Sequence, residues 1–127
     1  MQTRAINAET APLPTTGYVQ AMEVSEHRRL LFVSGQTPVD AAGAVPEGFE
    51  AQCRQAWRNV EAQLAAAGMS LDNLVMHRTY LADRSHALAN RAVRNAVLGG
   101  RETALTVVVA GIFDEAWLVE IEAVAAA

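Results

Sequence analysis

Two short runs rich in β-branched and aromatic residues, GYVQAMEV at 17–24 and RLLFVSGQ at 29–36, flank the polar SEHR, a spacing that predicts a β-hairpin. Before them, residues 1–16 are polar, with Pro12 and Pro14 close together, and read as an arm without a core of its own. After them, TPVDAAGAVPEG is turn chemistry throughout. From Glu47 the period changes. Phe49, Cys53, Ala56, Trp57, Val60, Leu64 and Ala67 recur at steps of three and four, the apolar stripe of an amphipathic helix, with Gly68 placed to end it. LVMHRTYLA follows the turn SLDN and reads as a strand. Ser85 is the expected cap of a second helix whose stripe runs through Leu88, Ala92 and Val97 to Gly99 and Gly100. Two more strands, TALTVVVA and WLVEIEAVA, close the chain around the loop GIFDEA. The predicted order is β-β-α-β-α-β-β in one domain spanning residues 1–127, an α+β fold with two helices on one face of a sheet.

The last of these strands carries Glu120 and Glu122 within an otherwise apolar run. Side chains alternate faces along a strand. Trp117, Val119, Ile121, Ala123 and Ala125 therefore form one apolar face, suited to packing on helices. Leu118, Glu120, Glu122 and Val124 form the other, with apolar residues flanking two acids. A carboxylate removed from water needs a partner or a purpose. LLFVS and LTVVVA are two-sided in the same way, and two helices cover only one face of a sheet. Association with further copies of the chain is the expected cover for the other.

Composition narrows the chemistry. The net charge is −4 and all ten cations are arginines scattered along the chain, which argues against a nucleic-acid surface. No apolar run approaches the roughly 18–20 residues that span a membrane, and the N-terminus lacks the pattern of a secretory signal, so a soluble cytoplasmic protein is expected. Cys53 is the single cysteine and lies in the first helix's apolar stripe, where it reads as core. The three histidines have no metal-ligand spacing. No metal site is expected.

GYVQAMEV, LLFVSGQTPVD, NVEAQLAAAGMSLDNLV, RTYLAD and the ending LVEIEAVAA, in this order and over nearly the whole chain, resemble the RidA (YjgF) family of reactive intermediate deaminases. The pairing of SGQxP with EIEA is the specific part. The resemblance implies a chorismate-mutase-like fold assembled as a homotrimer, with clefts between subunits. It also implies hydrolysis of small enamines or imines, such as 2-aminoacrylate, to 2-oxo acids and ammonia, without metal or organic cofactor. Residue by residue, Glu120 matches the family's water-positioning carboxylate and Tyr18 the tyrosine that covers the cleft. Ser34 and Gly35 match a turn on the cleft wall, and Asn90 an asparagine near the substrate.

One position departs from the pattern. Deaminating members carry P-x-R-S at the start of the penultimate strand, and its arginine grips the substrate carboxylate. Counting back from EIEA places that site on Ala104, give or take one residue, and neither Thr103, Ala104 nor Leu105 binds a carboxylate ionically; the strand around Ala104, Leu105 and Thr106 is expected to line the cleft. Arg101 and Arg78 are the candidate replacement cations. The resemblance is therefore to an arginine-lacking branch, whose small-molecule substrate differs from the usual amino-acid-derived imino acids. A non-catalytic ligand-binding or regulatory trimer is the alternative.

Overall fold

The computed structural model describes all 127 residues. In chain order the elements are β1 (Gln2–Ile6), β2 (Ala21–Ser25), β3 (Leu30–Gln36), α1 (Phe49–Ala66), β4 (Leu74–Leu81), α2 (Ala87–Leu98), β5 (Ala104–Val109) and β6 (Val119–Ala126). Four strands form a mixed sheet in the order β3-β6-β4-β5, antiparallel except for the β4–β5 pair. That parallel pair follows from the connection: α2 lies between β4 and β5, and a helical crossover returns the chain in the same direction.

The core lies between this sheet and the helices. Cys53, Ala56, Trp57, Val60 and Leu64 of α1 pack with Val119, Ile121, Ala123 and Ala125 of β6, the two apolar stripes expected from the sequence. Trp117 is half-buried and stands ahead of the strand. Gly68 takes a φ of 71°, a left-handed conformation that costs glycine little, and the chain leaves α1 there.

The expected hairpin does not form. β2 pairs with β1 in a separate two-stranded ribbon, so the polar arm contributes a strand of its own. Pairing follows the burial of apolar faces. β6 sets Ala123 and Ala125 opposite Val33 and Leu31 of β3, at the core. β2 offers only Met22 and Val24, both half-buried. Its ribbon is instead held by backbone pairing and by polar contacts such as Arg4 with Glu23. Glu26, at a φ of 56°, turns the chain away from β2 toward the other sheet.

The second helix is also rotated from expectation. Ser85 does not cap α2, whose N-cap residue His86 makes no side-chain cap bond; Asp83 instead caps the short 3₁₀ turn Arg84–His86 that leads into the helix, its carboxylate accepting from the Ser85 N–H. The buried residues of α2 are Asn90, Val93, Arg94 and Leu98, while Leu88 is 75% exposed and Ala92 is exposed. The spacing is helical, but half of the buried stripe is polar.

Candidate functional site

Between Val33 and Gln36 the β3–β6 register slips: Val33 faces Ala123 and Gln36 faces Ile121, so Ser34 and Gly35 together oppose Glu122. This is a β-bulge, a device that kinks a strand and re-aims its neighbours. The side chain of Glu120 folds over the bulge. A Cβ added to Gly35 would lie 2.1 Å from Glu120 Oε1 and 2.8 Å from its Cδ. A side chain at position 35 would compete with the Glu120 carboxylate for the same space.

The two acids of β6 are treated differently. Glu122 sits across from Arg78 on β4 and pairs with its guanidinium, and Tyr80 Oη donates to the same carboxylate oxygen at 2.7 Å. The Tyr80 hydroxyl, and then Arg78, hold the Glu122 carboxyl below the usual carboxylate range. Glu122 is thus a satisfied structural acid. Glu120 stands opposite Tyr80, is half-buried, and takes no hydrogen bond or ion pair from the chain. Its acceptor capacity is available to a water or a substrate.

Entry to β6 is clamped by Gln52 of α1. Its amide donates to the Ala116 carbonyl at 3.0 Å and accepts from the Leu118 N–H at 2.8 Å. Glu120 follows two residues later. Gln52→Ala removes both bonds and leaves two partly buried backbone groups without partners, an expected loss of about 2 kcal/mol in denaturant unfolding.

A concavity lies at the β5 edge. It is an open cleft of about 340 Å³ walled by Tyr18, Leu105 and Thr106, with Arg91 and Arg94 of α2 on the facing side. Val19 pairs with Ala104 in a parallel bridge, which sets the segment carrying Tyr18 against β5. Tyr18, Leu105 and Thr106 are thus brought together, with Ala104 at their margin. Ser34, Gly35 and Glu120 form the other group. The two groups are separate within one chain. Glu120 stands opposite Tyr80, Tyr80 opposite Val108, and Thr106 two residues further along β5, which puts Thr106 and Glu120 roughly 12 Å apart.

Asn90 belongs to neither group. It is 2% exposed, and its Oδ1 lies 3.8 Å from Cys53 Sγ. Burial raises the Cys53 thiol to about 12, which leaves it protonated and inert, as core placement predicts. The candidate cations Arg101 and Arg78 are both engaged: Arg101 pairs with Asp72 and bonds the Leu98 carbonyl, and Arg78 pairs with Glu122. No three of the chain's His, Cys, Asp and Glu side chains converge into a metal-holding cluster, and no helix is long and apolar enough to cross a membrane. The residues missed from the sequence are Arg91 and Arg94. Only the helical spacing of Arg94 from Asn90 and Leu98 marks it as part of the buried stripe.

Comparison with known proteins agrees with the fold. Residues 8–127 match the family model described as Endoribonuclease L-PSP. A RutC family protein of Pyrococcus horikoshii is 33% identical over 122 residues, 94% of either chain. The 2-iminobutanoate/2-iminopropanoate deaminase of Salmonella typhimurium is 36% identical over 81 residues, 63% of this chain and 61% of that protein. With that enzyme and several other relatives, the alignment spans less than two thirds of the relative's own length. Among solved structures, YyfB of Yersinia pestis, a Rid family protein of unknown function, superposes with a TM-score of 0.88 at 29% identity, over 100% of both chains. The sheet with its two helices, a family match over residues 8–127, and a relative 33% identical over 94% of the chain lead to one conclusion: the chain belongs to the RidA/YjgF family, the Endoribonuclease L-PSP group that includes the RutC and Rid proteins.

Proposed function

We propose that the protein hydrolyses the C=N bond of a small reactive imine, or of the enamine that tautomerises to it, with Glu120 as the residue that positions and deprotonates the water. The observation that carries this reading is the unpartnered Glu120 carboxylate folded over the Gly35 bulge, beside a Glu122 already satisfied by Arg78 and Tyr80. Water oxygen adds to the imine carbon while the C=N electron pair moves to nitrogen, which takes a proton. Collapse of the resulting carbinolamine breaks the C–N bond, forms the carbonyl and releases ammonia. A carboxylate within hydrogen-bond reach of the water supplies the general base.

In this reading the site is completed between copies of the chain in a homotrimer. Glu120, Ser34 and Gly35 of one copy meet Tyr18, Ala104, Leu105 and Thr106 of the next. Two features favour it. The groups are too far apart within one chain to hold one small imine. The sheet face bearing Glu120 also carries Phe32 at 73% exposed and half-buried Met76 and Val124, apolar area that association covers. Light scattering should return three copies at micromolar concentration; a monomer would leave the site in halves. A ribonuclease role, which the family description names, fits poorly with a net charge of −4.

Ala104 leaves β5 without a cation for a carboxylate carried on the imine carbon. Loss of charge-assisted hydrogen bonds of about 1.5–3 kcal/mol each implies turnover of 2-iminopropanoate at least about tenfold below that of arginine-bearing relatives, with partial recovery in Ala104→Arg. Ammonia release, measured for the wild type and for Glu120→Ala over a panel of imines, tests the reading. Turnover should vanish with Glu120. If the wild type binds imines without turning any over, the chain is the ligand-binding trimer instead.

A further inference from the structure

The cleft at the β5 edge holds a charge that nothing in the chain answers. Arg94 is only 4% exposed, yet it forms no ion pair, and neither does Arg91 beside it. A guanidinium has five N–H donors. Those of Arg94 find two partners, both near the limit of a hydrogen bond: Asn95 Oδ1 at 3.4 Å from Nε and the Thr16 carbonyl at 3.5 Å from Nη2. Removing one charge from water without a counter-charge is costly, and arginines that serve only packing are paired. The surroundings hold the group in place. Gly17, at a φ of 74°, lies so close to α2 that a Cβ there would sit 2.6 Å from Asn95 Oδ1 and 3.7 Å from Arg94 Nη2. The cleft's other polar residues are Thr15, Tyr18, Gln20 and Thr106, which are hydroxyls and an amide with no carboxylate among them. Burial, and then the neighbouring charge of Arg91, press the Arg94 guanidinium below its usual value, as expected for two cations sharing one concavity.

We propose that Arg94 and Arg91 form an oxyanion-binding subsite in this cleft, so that the substrate's carboxylate or phosphate is recognised from α2 and not from β5. Tyr18 and Thr106 supply further donors at the same wall. The substrate class becomes a small imine bearing an oxyanion that lies against α2. The subsite stands on charge and geometry; only its use for an imine rests on the hydrolase reading.

Isothermal titration of the full-length protein at low ionic strength, with sodium pyruvate and separately with inorganic phosphate, tests the subsite. Saturable binding that weakens with added salt is expected for at least one anion, while the neutral pyruvamide should not bind. Arg94→Gln and Arg91→Gln should each weaken that binding by at least about tenfold. Arg94→Lys should restore part of it, which a purely packing role would not predict. Preference for pyruvate identifies a carboxylate subsite, and preference for phosphate a phosphate-ester one. Arg91 is exposed, so its variant decides the matter even if Arg94→Gln fails to fold. Wild-type protein that binds neither anion, or Arg91→Gln binding as tightly as wild type, overturns the proposal. Glu120→Gln should bind the anions normally. Wild-type protein that binds these anions but turns over no imine would remove the hydrolase reading and leave the subsite intact; unchanged turnover in Glu120→Gln would remove only the role of Glu120.

Discussion

Gly35→Ala should fold nearly as well as the wild type and yet lose about a hundredfold in turnover. The methyl group would enter the space held by the Glu120 carboxylate, with contacts of 2.1, 2.8 and 3.1 Å to Oε1, Cδ and Cγ. These atoms form the mobile end of a side chain, so the clash is relieved by swinging Glu120 aside and not by moving backbone. Gly35 has no positive φ, so alanine introduces no backbone strain. Stability should change by no more than about 1–2 kcal/mol, as for a surface-side overpacking. A general base displaced by about an ångström costs on the order of 10²-fold. Glu120→Gln, which keeps the shape and removes the basic oxygen, should cost about 10²–10⁴-fold. The diagnostic pattern is a small change in unfolding midpoint beside a large fall in kcat. A Gly35→Ala protein with normal turnover would show that the position of Glu120 is unimportant to the chemistry.

Acid should destabilise the protein well before its carboxylates titrate. His77 is buried on β4, edge-on to Trp57, with Nδ1 3.0 Å from Thr103 Oγ1 and Nε2 without a partner. Burial, with a further push from the charge of Arg94, lowers its pKa to about 4. The unfolded chain takes up this proton near pH 6.5, while the folded chain resists it until about pH 4. Between those values the unfolded state binds more protons, so stability is complete above pH 6.5 and falls as pH drops toward 4. The loss approaches about 3 kcal/mol across the window. Glu122 and Asp83, whose pKa values are also lowered, add their losses as pH falls through the ordinary carboxylate range and below it. Urea unfolding at pH 7, 6, 5 and 4 should trace this slope, and His77→Gln should flatten it above pH 4.5. An equally steep slope in that variant would assign the acid sensitivity to other groups.

The division of labour between the two acids shows how far local pattern reaches. Alternation along β6 places Glu120 and Glu122 on the face away from the helices, because side-chain direction in a strand has a period of two. It cannot say which acid is paired. That depends on β4 lying next to β6 in a register that sets Arg78 opposite Glu122, a contact between residues 44 positions apart. The bulge is similar. SGQ is visible as a turn-like element, but its meaning arises when Ser34 and Gly35 both face Glu122 and leave room for the Glu120 side chain.

The strands from residue 30 onward, the α1 stripe, the α+β class and the apolar face of β6 were all legible in the chain, since each depends on a periodicity repeated over many residues. Three features were not. β1 lies in a polar segment whose strand forms only because β2, denied a place at the core, needs a partner. The rotation of α2 depends on the Asp83 cap and the 3₁₀ turn before it. By hydrophobicity Leu88 belongs inside and Arg94 outside, and the packing of α2 on its neighbours reverses both. The cleft that places Arg91 and Arg94 opposite Tyr18 and β5 needs the segment around Tyr18 to meet α2 and β5, more than 70 residues further along the chain. Burial of an arginine is set by what surrounds it in space, and a one-dimensional hydrophobic pattern carries no information about that.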